Sequence, residues 1–398
     1  MISEMKKNWE VKTLSELTTF LGDGLHGTPK YTDDGDYYFV NGNNLMDGKI
    51  IFKDNTKRVS IDEYTKYKKN LTDRTVLVSI NGTLGNVAFY NNEKIMLGKS
   101  ACYFNLLDTV DKKYIKYIIS SQYFLDYAHQ EATGATIKNV SLKTMRAFKV
   151  PLPPLPEQKR IVTLLDTVFS DLEQTRAKTE QNIKNARELF DSYLQQVFSQ
   201  RGEGWVEKEI GDVADLSRGQ NPPKSEFISE PREGYVRFYQ IRDGKSDKFA
   251  VYVPENSKLH YVNETDILMV AYRHVGNAFR GVKGAFNVAL CKIVNKDKEA
   301  LHDDFLYHLI PSSFIKGELL KVSERSLIPS MSVKHLAQLK IPIPPPHEQD
   351  EIVRKINMME KECNRLEFIY KQKVEAVDEL KKSILQKAFS GELTTTAK

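Results

Sequence analysis

Two stretches of the chain carry apolar residues at heptad spacing with no proline to interrupt them. In the first, Ile161, Leu165, Val168, Leu172, Thr175 and Thr179 recur at 4-3-4-3-4 spacing, and Ile183, Ala186, Phe190, Tyr193 and Val197 continue after a one-residue shift. In the second, the series is Ile352, Ile356, Met359, Cys363, Leu366, Tyr370, Val374, Val377, Leu380, Ile384 and Ala388, with the shift at the same place. This spacing predicts two long helices with a coiled-coil seam and a stutter. Ahead of the first, Val150-Pro-Leu-Pro-Pro-Leu-Pro156 must be extended, because each proline fixes φ and disfavours helix in the residue before it. Pro156 suits the first helical position, and Glu157 in the first turn faces the positive end of the helix dipole. About 44 residues at roughly 1.5 Å rise make a rod of roughly 65 Å. A single apolar stripe needs a partner, and the nearest is the stripe of the other rod. A chain running globule, rod, globule, rod then places its rods antiparallel, as a dumbbell with an approximate two-fold axis.

Before each rod the apolar runs are short and broken by Gly and Asn. Phe39-Val40, Val76–Ile80 and Ala101–Asn105 read as strands, as do Val236–Ile241 and Ile267–Ala271. Tyr114–Tyr127 and Asp303–Gly317 read as helices. The chain also repeats itself. Residues 141–162, SLKTMRAFKVPLPPLPEQKRIV, and 332–353, SVKHLAQLKIPIPPPHEQDEIV, share ten of 22 positions at an offset of 191. Glu188–Ser199 aligns with Glu379–Ser390, and Gly85-Asn86 with Gly276-Asn277, at the same offset. Trp9 and Trp205 open the two copies at an offset of 196, so the second copy is five residues shorter before its Gly-Asn pair. A period this long is a tandem duplication of a whole unit, not a solenoid. The fold class is α+β: two globular α/β domains, 1–150 and 205–341, joined by two long antiparallel coiled-coil helices, within 151–204 and 342–398, with pseudo-two-fold symmetry.

Composition narrows the function. The chain has 398 residues, 40% of them hydrophobic and 28% charged, which excludes collagen-like and largely disordered classes. There is no apolar run long enough for a membrane span, and no apolar signal-peptide core follows Lys6-Lys7. Cys102, Cys291 and Cys363 are isolated and odd in number, which fits a reducing cytosol rather than a disulfide framework or a CxxC zinc site. Lys+Arg against Asp+Glu is 21 to 17 in residues 1–150, 7 to 8 in 151–204, 20 to 18 in 205–340 and 10 to 10 in 341–398. The net +5 is thus +6 on the globules and −1 on the rods. Catalytic signatures are missing from the sequence. Asn221-Pro-Pro-Lys224 resembles the Asn-Pro-Pro-aromatic motif of amino-methyltransferases, but Lys224 cannot stack on a flipped base. Gly22–Pro29 has glycines without the Lys-Ser/Thr that would hold phosphates, no GxGxxG occurs, and the eight histidines lack metal-ligand spacing.

The duplicated Pro-Leu-Pro-Pro-Leu-Pro-Glu-Gln and Pro-Ile-Pro-Pro-Pro-His-Glu-Gln motifs, the helix end Ala388-Phe-Ser-Gly-Glu-Leu393, and Ser79-Ile-Asn-Gly-Thr-Leu-Gly-Asn86 carry a family resemblance over essentially the whole chain. The chain resembles the specificity subunit of type I restriction–modification systems. The resemblance implies that each globule is a target recognition domain reading one half of a split, asymmetric double-stranded DNA site. It implies that the helices act as a ruler and as docking sites for two methyltransferase subunits. Catalysis is then supplied by partners: transfer of a methyl from S-adenosylmethionine to adenine N6, and ATP- and Mg²⁺-dependent translocation and cleavage by a motor–nuclease subunit bound through the methyltransferase core. This chain would bind none of these cofactors directly, hold no metal, and act in the cytoplasm. Two other readings stay open: a coiled-coil assembly scaffold whose globules bind protein, and the specificity partner of a related system in which methylation and cleavage share one polypeptide.

Readout of bases needs Arg, Lys, Asn and Gln at base edges, with small hydroxyls and amides on phosphates. In the first globule the candidates are His26, Thr28 and Lys30 in one loop, Asn41, Asn43 and Asn44 after a strand, Lys99 and Ser100, and Thr133, Thr136 and Lys138. In the second they are Arg218, Gln220 and Lys224, then Arg237, Tyr239, Gln240 and Arg242, then Arg273, His274 and Asn277, and Arg325. For each, a role in the fold or at a solvated surface stands open beside a base contact. Gly85 and Gly276 are expected to form turns. Asp33, Asp34 and Asp36 lie near these loops and would repel phosphate unless they face away or accept from cytosine N4.

Overall fold

The structure, a computed structural model, describes residues 9–134, 138–200, 202–244, 246–256, 258–323 and 331–394. It divides into two compact units, one made of Met1–Thr179 with Gln372–Lys398 and the other of Glu180–Lys371. The long helices Leu155–Ser199 and Pro346–Ser390, 45 residues each, both contribute to each unit. Among the described residues no helix is long and apolar enough to cross a membrane.

In the first unit a four-stranded antiparallel sheet runs in the order Thr18–Asp23, Ala101–Leu106, Thr75–Ser79, Val87–Phe89. Its central strand Thr75–Ser79 is buried on both faces, and alternate side chains serve different cores. Val76 and Val78 join Tyr114, Ile115 and Ile118 on the helical side. Leu77 joins Val40, Ile95 and Leu97 of a second sheet, ordered Arg58–Val59, Tyr37–Val40, Ile95–Leu97. This two-sided burial explains why Val76-Leu77-Val78 reads as a continuous apolar run instead of an alternating one.

The second unit repeats the plan. Its sheet order is Ala214–Arg218, Leu290–Asn295, Ile267–Val270, Ala278–Phe279. Met269, Cys291 and Ile293 face Phe305 and Leu306, while Leu268, Val270 and Leu290 face Phe286 and Val262. Each predicted helix is in fact a pair, Lys112–Ile119 with Gln122–Glu131, and Asp303–Leu309 with Ser313–Ser323. The break has the same cause in both: the buried Ser121 and Ser312 hydroxyls each donate at 2.6 Å to a carbonyl of the last turn, of Ile118 and Leu309. In the second unit Pro311 also denies the helix an N–H.

The proline-rich segments are extended, as expected, and form one strand of a two-stranded ribbon. Lys149–Leu152 pairs with Glu10–Thr13, and Lys340–Ile343 with Val206–Glu209. A ribbon has only edge strands, so Pro151 and Pro342 are tolerated. Each ribbon ties the start of a globule to the chain just before its long helix. At that junction a glutamine is almost fully buried, Gln158 at 1% and Gln349 at 0% exposure. The Oε1 of Gln158 accepts from the Asp111 amide at 2.9 Å, and its Nε2 donates to the Pro153 carbonyl at 2.8 Å. Gln349 repeats this with the His302 amide at 2.8 Å and the Pro344 and Ala300 carbonyls, each at 2.8 Å.

The long helices run antiparallel within each unit. In the first, Glu173 pairs with Lys381 at 2.8 Å and Arg176 with Asp378; in the second, Arg187 pairs with Glu367 at 2.8 Å. The seam differs from the heptad reading in detail. Thr175, Leu366 and Leu380 are exposed, while Phe169, Leu194, Phe198, Leu385 and Phe389 are buried. The helix repeat of 3.6 drifts against a 3.5 pattern, so the buried stripe slides off the a/d series. The helix ends are also built into the globular cores: Ile161, Leu165, Leu385 and Phe389 pack with Tyr114 and Ile118, and Phe198 and Ile356 with Phe305.

These facts set an expected stability ranking. Gln349→Ala orphans a buried amide and two carbonyls and lowers the stability of the second unit by about 2–4 kcal/mol. Arg187→Ala breaks an exposed pair and costs at most about 1 kcal/mol. Urea denaturation of the full chain checks the order of the two.

Candidate nucleic-acid interface

The sheet topology gathers loops at one end of each unit. In the first, Asp23 lies beside Cys102 and Ala101 beside Ser79, so the loops after Asp23 and Ser79 and the segment before Ala101 leave the sheet at the same end. The parallel strands Tyr37–Val40 and Ile95–Leu97 point the same way and deliver the loops starting at Asn41 and Gly98. Hydrogen bonds lock these segments together. The Leu25 amide donates to the Leu97 carbonyl at 2.7 Å, and the Gly98 amide to Val40 at 2.8 Å. The Gly42 amide donates to Ser100 Oγ at 2.9 Å, and Ser100 Oγ donates to Asn41 Oδ1 at 3.0 Å. Ser79 Oγ lies 2.9 Å from Thr83 Oγ1, and the Gly82 amide donates to the Lys138 carbonyl at 3.2 Å. The chain crosses the strand end so closely that a Cβ on Gly24 would sit 2.1 Å from the Leu97 carbonyl oxygen.

The second unit assembles the same four loops, after Arg218, Tyr239, Val270 and Phe286. A Cβ on Gly219 would meet the Phe286 carbonyl oxygen at 2.2 Å, the counterpart of the Gly24 contact. The Gln220 amide donates to Phe286 at 3.1 Å, the Asn287 amide to Tyr239 at 3.0 Å and the Val288 amide to Asn221 Oδ1 at 3.2 Å. A cleft of about 650 Å³ opens among these ends, lined by Arg218, Asn221, Tyr272, Asn287, Val288 and Ser332.

The candidate side chains fall into two groups. Thr28, Lys30, Asn43, Lys99, Thr133 and Lys138 are exposed in the first unit, as are Gln220, Lys224, Arg242, Arg273, His274 and Asn277 in the second. His26 is exposed too, with Nε2 2.7 Å from Asp23 Oδ2. Asp33, Asp34 and Asp36 are exposed near the first loop. The other group is taken up by the fold. Asn44 is buried, donates to the Ile51 carbonyl at 3.0 Å and accepts from the Asn41 amide at 3.0 Å; with Ser100 bonded to Asn41, it shapes the loop rather than its surface. Arg218 donates to the Val288 carbonyl at 2.9 Å and to the Met331 carbonyl, and burial lowers its pKa. Arg237, at 10% side-chain exposure, lies 3.1 Å from Asp243, which is fully buried, and 3.1 Å from Asp247. Burial works against its charge, but the two carboxylates raise its pKa above the usual value. Its guanidinium also stacks over the Tyr239 ring at 4.7 Å. Gln240 is half-buried, and its backbone N–H caps the loop by donating to Asp243 Oδ2 at 2.7 Å. Thr136 and Arg325 lie outside the described residues. Sequence reasoning missed Asn81, Thr83, Asn139, Asn221 and Tyr272, which share these loop ends. The 191-residue offset that matched Gly85 with Gly276 also sets Asn81-Gly82-Thr83 against Tyr272-Arg273-His274 and held the signal.

The family model for the type I restriction modification DNA specificity domain matches this chain twice, over residues 6–184 and 202–376. The chain therefore belongs to that family, as a specificity subunit with two recognition domains, a non-catalytic part of a type I restriction–modification system. It is similar to the Escherichia coli type I restriction enzyme EcoBI specificity subunit, 23% identical over 80% of this chain and 73% of that one. It is also similar to the EcoKI specificity subunit of Escherichia coli K12, 23% identical over 98% and 90%. Among solved structures it shares its fold with a chain of a type I R-M complex, at a TM-score of 0.76 with 18% identity over 98% and 99% of the two chains. The HsdS subunit from Thermoanaerobacter tengcongensis matches at 0.59, with 18% identity over 98% of each.

The split between locked and exposed side chains makes an expected outcome. Arg237→Ala leaves Asp243 buried and uncompensated and destabilises the second unit by about 3–5 kcal/mol. Lys224→Ala, at an exposed site, changes stability by less than about 0.5 kcal/mol. Thermal and urea unfolding of the two variants checks this.

Proposed function

We propose that this specificity subunit reads a bipartite, asymmetric DNA site, each globular domain contacting one half through its four-loop end. The observation that supports this best is the recurrence of that loop set in both units with different side chains. A shared backbone bearing Lys30, Asn43 and Lys99 in one unit, and Gln220, Arg242 and Arg273 in the other, fits two readers of two different sequences. The two helices set the unread gap, since each base pair advances the duplex by roughly 3.4 Å. They also dock two methyltransferase subunits on duplicated surfaces. Those subunits carry S-adenosylmethionine and transfer its methyl group to adenine N6, with the target base flipped out of the duplex. Motor–nuclease subunits using ATP and Mg²⁺ join through them, and the assembly works in the cytoplasm on the host chromosome.

Exposed lysines at the loop ends give sequence-independent phosphate contacts, so binding weakens steeply with salt. The net charge is small, and tight binding therefore needs the methyltransferase subunits as well. The test is to map methylated adenines in host DNA for the wild-type chain and for a chimera whose residues 10–150 come from another family member. The chimera is expected to change one half-site and keep both the other half-site and the gap. A change in both halves, or methylation without sequence preference, overturns the reading.

A further inference from the structure

The two units carry one loop on the same backbone. In the first, the amide of Ser79 donates to Asn86 at 2.8 Å, Gly85 to Ser79 at 3.2 Å, Thr83 to Asn81 at 3.0 Å and Asn86 to Thr83 at 3.4 Å. In the second, Val270 donates to Asn277 at 2.7 Å, Gly276 to Val270 at 2.9 Å, His274 to Tyr272 at 2.8 Å and Asn277 to His274 at 3.4 Å. Two positions of this loop are left-handed. One is glycine in both copies, Gly85 at φ 79° and Gly276 at φ 90°. The other is Gly82 at φ 75° in the first unit but Arg273 at φ 64° in the second.

Left-handed backbone is costly for a residue with a Cβ other than Asn or Asp, which fill the two other such positions of the described residues, Asp47 and Asn92; elsewhere it persists where the surrounding structure imposes it, and such positions cluster at functional sites. The twin loop shows that glycine serves this turn, so Arg273 is not there for the turn. Nor does its side chain serve the packing: it is exposed, and among the described residues no hydrogen bond or ion pair holds its guanidinium. The guanidinium lies 5.7 Å from the ring of the neighbouring Tyr272, a contact that limits its motion without burying it. The first unit offers no counterpart. The three arginines of residues 1–150 are Arg58, Arg74 and Arg146. Arg58 donates to Tyr38 Oη at 2.5 Å, Arg74 to the Leu107 carbonyl at 2.5 Å and Arg146 to the Leu21 carbonyl at 2.9 Å.

We propose that Arg273 is a specificity-determining residue of the second recognition domain, forming a bidentate pair with the O6 and N7 of a guanine in the half-site that domain reads. The inference rests on the proposed reading of this unit as a DNA reader. A phosphate contact tolerates a flexible, approximate cation, which a lysine at an unstrained position of the loop ends, such as Lys224, supplies equally well. A guanine edge requires a planar fork held in a fixed place, and a rigid turn that sets the Cα–Cβ direction supplies that.

The test uses the full-length chain assembled with its methyltransferase subunits. The probes are duplexes bearing the methylated site mapped in the host, together with every single-base-pair change in both half-sites. Arg273→Gly is expected to melt at the same temperature as the wild type or up to about 3 °C higher. It loses about 5- to 150-fold in affinity for the mapped site and its preference at one G·C pair of one half-site, while the other half-site is read as before. Arg273→Lys keeps the wild-type salt dependence without restoring that preference. The proposal is overturned if Arg273→Lys restores the preference, if Arg273→Gly leaves every preference intact, or if Arg273→Gly melts well below the wild type. A wild-type complex that prefers no sequence would instead sink the reading of the unit as a DNA reader.

Discussion

Each long helix is fixed to its globule by one buried side-chain amide. Gln158 and Gln349 sit one turn inside the helix, where the preceding prolines leave carbonyls that no local N–H can satisfy. The carboxamide meets this need on both sides. Its Nε2 takes the Pro153 or Pro344 carbonyl, and its Oε1 takes the backbone amide that opens the globule's own helix, at Asp111 or His302. A glutamate lacks the donor and a lysine the acceptor, so the site is specific for an amide. In the same junction the Tyr114 hydroxyl donates to the Pro151 carbonyl at 2.7 Å and its ring meets Phe389 edge-on. Rod, ribbon and globule in a unit thus share one core, and the direction of the helix is tied to the sheet that carries the loops.

The long helices, their antiparallel pairing, the duplication and the central strands were legible because each rests on a period or an offset that survives in a single sequence. The failures have local causes. Thr175, Leu366 and Leu380 keep heptad spacing but are exposed, since the stripe that matters follows the helix repeat and the globular core, not the heptad. The serines that split each predicted helix act through a hydroxyl bond to a carbonyl, for which composition gives no sign. The repeated Glu-Gln was visible as a motif, but the role of its glutamine depends on a backbone N–H 47 residues away in the globule.

The candidate site was legible as a set of loops and poorly legible as a set of side chains. Loop positions follow from strand ends, and those follow from hydrophobic runs. Whether an arginine faces solvent depends on acceptors brought in by other segments. Arg237 and Arg273 look alike in sequence, each beside an aromatic residue. One is enclosed by Asp243 and Asp247, and the other, among the described residues, is held only by its neighbour's ring. The weak net charge is equally uninformative until the committed cations are set aside. The first globule's arginines and Arg218 and Arg237 satisfy internal acceptors, which leaves mainly lysines, Arg242 and Arg273 exposed at the loop ends.

A duplicated reader has to change what it reads without changing how it folds. The loop from Ser79 to Asn86 and its twin from Val270 to Asn277 meet that demand by holding their shape with main-chain hydrogen bonds, which are indifferent to side-chain identity. The side chains at Asn81, Gly82 and Thr83 are then free to become Tyr272, Arg273 and His274. Freedom ends at the left-handed position, where any residue but glycine strains the backbone that the loop depends on. Divergence at that point, against the intrinsic preference of the turn, is where selection on the side chain has to exceed selection on the fold.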